Sequence, residues 1–155
     1  MYSKILVPLD GSPLSEKALE HAAELAQGTD AEIILLEAVQ DSLAAVPEAR
    51  YRVPVRQVYS GALRGIKYLE EVAARMRREG WKVRCDVLEG DPRDAILAFA
   101  RREKVDLIVM STHGHAGLKR KVLGCLAEKL AFVTNAPVML VKRGVAQIHQ
   151  AAKAA

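Results

Sequence analysis

Aromatic side chains are scarce in this chain: two Phe, four Tyr and one Trp, 5% of the residues. A nucleic-acid surface calls for a concentrated basic patch, often with an aromatic platform. Here the net charge is only +4, and the cations are spread over several helical stretches. Nucleic acid is therefore not the expected partner. Cysteine is nearly absent. Cys85 and Cys125 are far apart and lack metal-ligand spacing, which argues against a disulfide framework. No apolar run approaches the roughly 20 residues of a membrane span. The opening Met1-Tyr2-Ser3-Lys4-Ile5 enters a strand pattern with no signal-peptide features, so a cytoplasmic location is expected and a membrane partner is not.

Half of the 155 residues are hydrophobic and 27% are charged, the balance of one globular domain with a proper core. Short apolar runs alternate with helical patterns. "KILVPL" (4–9) is a strand covered on both faces. Ser12 then suits a helix N-cap, Pro13 the first turn and Gly28 the stop. "EIILLEAV" (32–39) is the second strand. Asp41 to Ser60 reads as a loop, with a short helical turn near Leu43 to Val46. A helix from about Val58 to Glu79 carries its apolar face on Ala62, Ile66, Leu69, Ala73 and Met76. "WKVRCDVLEG" is the third strand. Asp91 caps a helix whose inward residues are Ala95, Ile96, Phe99 and Ala100. "VDLIVMS" is the fourth strand, a helix opens at Gly124, and "PVMLVKR" is the fifth strand. The segment 144–155 is a weakly helical tail after a single domain spanning 1–143. Lys82, Arg84 and "RMRREG" read as solvated surface.

This alternation implies a parallel sheet with helices on both faces, a Rossmann-like α/β/α sandwich. Such folds bind ligands at the carboxyl ends of the strands, where the strand order reverses. Two informative loops lie at such ends. One begins at Asp10. The other, Ser111 to Cys125, is punctuated by Gly114, Gly117 and Gly124 and carries Lys119, Arg120 and Lys121. Glycine lets backbone N–H groups approach an anion, and a helix N-terminus adds donors and positive potential. The parts suit a polyphosphate, although the spacing is neither the P-loop nor the G-x-G-x-x-G pattern. Each residue also has a plainer role open to it. Asp10 could begin a turn, His113 and His115 could line the loop, Cys125 could be a small structural residue, and Lys119 to Lys121 could be a solvated face.

The stretches "KILVPLDGSPLSEKALEHAAELA" and "VDLIVMSTHGHAGLKRKVLGCLAEKLAFVTNAPVMLVKR" strongly resemble the universal stress protein family, over about residues 2 to 143. Its nucleotide-binding members carry Gly-x-x-Gly, nine residues, then Gly-Ser/Thr. Gly114 and Gly124 match two of the glycines, while Ser111 and Cys125 stand at the first glycine and the Ser/Thr positions. The resemblance implies a five-stranded parallel sheet of order 3-2-1-4-5. It also implies ATP as ligand, with Mg²⁺ as a candidate companion. Asp10 would contact the ribose or adenine side, and Val39 would read adenine. Pro8, Leu9 and Met110 would wall the base. Gly114, His115, Gly124, Cys125 and Leu126 would contact phosphate, mostly through backbone. The fifth strand is apolar yet lies at an edge, and the resemblance implies a homodimer through Val138–Val141.

No catalytic set stands out, so at most slow ATP hydrolysis is expected. Two other functions stay open. One is a relative that has lost the nucleotide and works through dimerisation and protein partners, a reading that Ser111 and Cys125 favour. The other is an adenylyl transferase or ATP pyrophosphatase, although "HGH" at 113–115 is one residue short of His-x-Gly-His.

Overall fold

A computed structural model describes residues 1–39, 55–111, 122–142 and 145–149, with side chains described except at 55–60, 122–125, 128 and 145–149. In chain order the elements are β1 (Lys4–Leu9), α1 (Lys17–Ala26), β2 (Glu32–Val39), α2 (Val55–Arg78), β3 (Lys82–Glu89), α3 (Pro92–Glu103), β4 (Leu107–Ser111), α4 (Val122–Val133), β5 (Val138–Lys142) and β6 (Val145–His149). The expected parallel order 3-2-1-4-5 is present, and β6 extends it to β3-β2-β1-β4-β5-β6. The turn near Leu43 to Val46 lies outside the described residues, and α2 begins at Val55, inside the stretch read as loop.

Successive strand residues point to opposite faces of a sheet, and the core divides accordingly. Ile5, Val7, Leu9, Ile33 and Leu35 pack with Leu107 and Val109 under α1 and α2. Leu6, Ile34, Leu36, Ile108 and Met110 pack under α3 and α4, around Phe99 and Leu130. Strands buried on both sides show little polar alternation, which is why "KILVPL" and "EIILLEAV" look uniformly apolar. Each fully buried side chain of this size contributes roughly 1.5–3 kcal/mol on leaving water. Asp106 ties the entrances of β1 and β4 together. Its carboxylate accepts Ser3 N–H and Lys4 N–H, both at 2.8 Å, and Ser3 Oγ–H at 2.6 Å. These bonds hold the Asp106 carboxyl below its usual range.

Three expectations need correction. Ile66 is exposed, whereas Gly65 is buried, so the inner face of α2 runs through Gly65, Leu69, Val72, Ala73 and Met76. Arg84 is not solvated surface. It lies half buried on Glu103 at 2.9 Å, with its guanidinium 5.9 Å from the Phe99 ring centroid. The tail is not helical through 145–149: it turns back antiparallel along β5, with Val138 opposite His149 and Lys142 opposite Val145. The β5 edge, where a second subunit was expected, is therefore paired within the chain.

The opposite edge, β3, is guarded by a side chain. Arg77 donates through two nitrogens to the Val83 carbonyl at 3.0 and 2.8 Å. Such capping blunts an edge that would otherwise pair with another strand. Cys85, on the same strand, donates its thiol to the Leu69 carbonyl at 3.4 Å. Burial pushes its pKa up to about 11, so it is an inert packing residue.

Candidate functional site at the carboxyl ends of the strands

The turn after β1 is organised around Asp10. Ser12 was expected to cap α1, but the α-helix begins at Lys17 and its N-cap, Glu16, makes no side-chain cap bond. Ser12 instead serves Asp10. Its N–H and its hydroxyl both donate to Asp10 Oδ1, at 2.9 and 2.5 Å. The same hydroxyl accepts the Ser15 N–H at 3.1 Å. Ser15 Oγ donates to the Ser12 carbonyl at 2.8 Å and accepts the Asp10 N–H at 3.4 Å. Gly11, at φ +79°, supplies the left-handed residue that folds the turn back on itself. Ser12 and Ser15 are both buried. Next along the chain, Glu16 is fixed by Tyr68 at 3.0 Å and Arg75 at 2.6 Å, which anchors the turn to α2.

β2 ends beside this turn. Its register with β1 places Leu9 opposite Glu37 and leads to Val39 at the rim. The Val39 carbonyl accepts the Gly90 N–H at 3.0 Å, so one of its lone pairs is engaged. A Cβ on Gly61 would meet Val39 Cγ1 at 3.7 Å. Glu37 was not foreseen as part of this region. One of its oxygens, Oε2, is buried without a hydrogen-bond partner among the described residues. A Cβ on Gly65 would lie 2.9 Å from that oxygen. Burial, and then the charge of Asp10, raise the Glu37 pKa above its ordinary value. The available signal was a carboxyl inside the apolar run of β2, away from its first residue.

On the other side of β1, β4 pairs with it through Ile5–Leu107 and Leu6–Ile108. The same offset brings the end of β4, with buried Met110 and Ser111, beside the Asp10 turn. Leu9 and Met110, expected to wall the base together, lie in cores on opposite faces of the sheet. Pro8 is paired in register with Leu36, and alternation puts it on the Met110 side. Gly114 and His115 lie outside the described residues.

The helix after the glycine segment starts at Val122, two residues before the expected Gly124. The first N–H groups of a helix have no intrahelical partner. Here those of the first turn belong to Val122, Leu123 and Gly124. Cys125 is the fourth residue of α4. Leu126 is half buried against the α3–α4 core. Among the described residues there is no group of three or more His, Cys, Asp or Glu that could hold a metal, and no helix long and apolar enough to cross a membrane.

A sequence profile of the universal stress protein family matches residues 1–142. The universal stress protein MJ0531 of Methanocaldococcus jannaschii is 34% identical over 145 residues, covering 92% of this chain and 84% of that protein. The solved structure of MJ0577, a universal stress protein of the same organism, superimposes with a TM-score of 0.77 at 28% identity, covering 94% of this chain and 99% of that one. A family member of Arabidopsis thaliana solved with AMP bound has a TM-score of 0.64 at 22% identity, covering 92% of this chain and 93% of that one, which bears on the fold alone. On the profile match and on the MJ0531 likeness, the chain belongs to the universal stress protein family.

Proposed function

We propose that the protein binds ATP at the carboxyl ends of β1, β2 and β4 and acts as a nucleotide-responsive stress or regulatory module. The observation that carries this reading is topological. The chain runs outward from β1 through β2 to β3 on one side and from β4 to β5 on the other. The crevice at this reversal is where open α/β sheets take ligands. On its nucleoside side it has the Asp10 carboxylate, an acceptor for ribose hydroxyls or the adenine amine, and the Val39 rim. On its phosphate side it has the backbone donors that open α4, the chemistry of an anion site. These two donor and acceptor sets fit the two ends of a nucleotide. AMP in the Arabidopsis relative supports the adenine class. Mg²⁺ would travel with the triphosphate, held by phosphate oxygens and water rather than by a protein cage.

Calorimetric titration with ATP and Mg²⁺ tests the reading. The wild type is expected to bind at micromolar concentration. Gly124→Asp puts a carboxylate among the α4 donors and should weaken binding by at least about tenfold, as like charges in contact do. Binding no tighter than millimolar, unchanged by that substitution, would contradict it and favour a family member that works through protein partners.

A homodimer through Val138–Val141 belongs to the same proposal, with a condition attached. β6 occupies that edge and would have to leave it.

A further inference from the structure

We propose that Ser12 is a positioning residue that fixes the direction of the Asp10 carboxylate toward the bound nucleoside; the inference rests on the nucleotide reading above. Ser12 has two donors and spends both on one oxygen, Asp10 Oδ1. Its hydroxyl cannot swing away, because its lone pair holds the Ser15 N–H. Ser15 in turn grips the Ser12 carbonyl and the Asp10 N–H. Ser12 and Ser15 are buried, and the turn they hold precedes α1 rather than capping it. A free aspartate samples several rotamers and would lose that freedom on binding a ligand. Here the freedom is already lost in the folded protein, before any ligand arrives. Immobilising such a side chain costs enough to matter by about three- to tenfold in affinity. Ser12 would touch no ligand atom and act only through Asp10.

The test compares two ligands, ATP and inorganic triphosphate, titrated into the same proteins. Ser12→Ala should weaken ATP by about three- to tenfold and leave inorganic triphosphate unchanged, because the missing order concerns the nucleoside end alone. Ser12→Thr, which keeps the hydroxyl, should restore ATP binding. Asp10→Ala should weaken ATP further, and adding Ser12→Ala to it should do no more harm. Should Ser12→Ala fail to fold, Asp10→Glu asks the same question. It keeps the charge but carries the carboxylate past Ser12, and should show the same selective loss. Wild-type ATP affinity in Ser12→Ala or in Asp10→Glu, beside a weakened Asp10→Ala, would overturn the positioning role and leave the nucleotide reading standing. Equal loss for ATP and inorganic triphosphate would make Ser12 merely structural, which also overturns it. No effect from Asp10→Ala would instead sink the role of Asp10 in the nucleotide reading.

Discussion

Among the described residues, Glu37 carries a buried, unpartnered oxygen against Gly65, with Asp10 and Tyr68 as charged or titratable neighbours. Its pKa is raised, first by burial and then by Asp10. The folded protein therefore holds this proton more tightly than the unfolded chain does. The resulting stability is fully present below the unfolded pKa and is lost as pH rises through the folded value. Glu37→Gln removes that titration. Its thermal midpoint should fall less between pH 5 and pH 8 than the wild-type midpoint does, whatever constant offset the amide introduces. Identical pH slopes for the two proteins would contradict the assignment. At this scale the sequence was legible where chemistry is local: Asp91, read as a cap, accepts the Arg93 and Asp94 N–H groups at 3.0 and 3.3 Å. Ser12 was misjudged for the same reason. Ser-Pro looks like a helix start, and Ser12 does accept the Ser15 N–H, but the turn it holds precedes α1 and its proton goes to Asp10.

α2 shows how an element can be found while its face is misassigned. An apolar count favours Ala62 and Ile66, but glycine gives no hydrophobic signal, and Gly61 and Gly65 let the helix approach Val39 and Glu37 closely. β6 was missed although its pattern is visible afterwards. Lys142 and Val145 are paired, so β6 follows β5 closely in sequence. Val145 and Ile148 are β-branched, but five residues give a weak strand pattern beside an alanine-rich tail of helical composition. The covered β5 edge makes a sharp prediction about association. A chain ending at Lys142 exposes β5 and should sediment as a dimer where the full chain is more monomeric. A truncated chain that stays monomeric at the same concentration would contradict pairing through Val138–Val141. At that scale the family likeness supplied the expectation, and the intrachain strand sets its condition.

For the molecule as a whole, the repeated strand–helix alternation was enough to imply parallel strands joined by right-handed crossovers, which cover both faces once the strand order reverses. It was not enough to give the strand order, which came from the family likeness and which the topology bears out. The strand ends were legible in outline. Asp10, Val39 and Ser111 come to neighbouring strand ends, as their positions after apolar runs implied. Helix onset depends on tertiary fit rather than on a glycine, and α4 opens at Val122 rather than at Gly124. Leu9 and Met110 were separated by the pleat, a consequence of register that neither run reveals alone. Native mass spectrometry of the protein purified from cells, and again after exchange into ATP with Mg²⁺, tests the central claim most directly. The account predicts one adenine nucleotide per chain, lost on Asp10→Ala combined with Gly124→Asp. Protein that carries no nucleotide from the cell and takes none up from added ATP would contradict it.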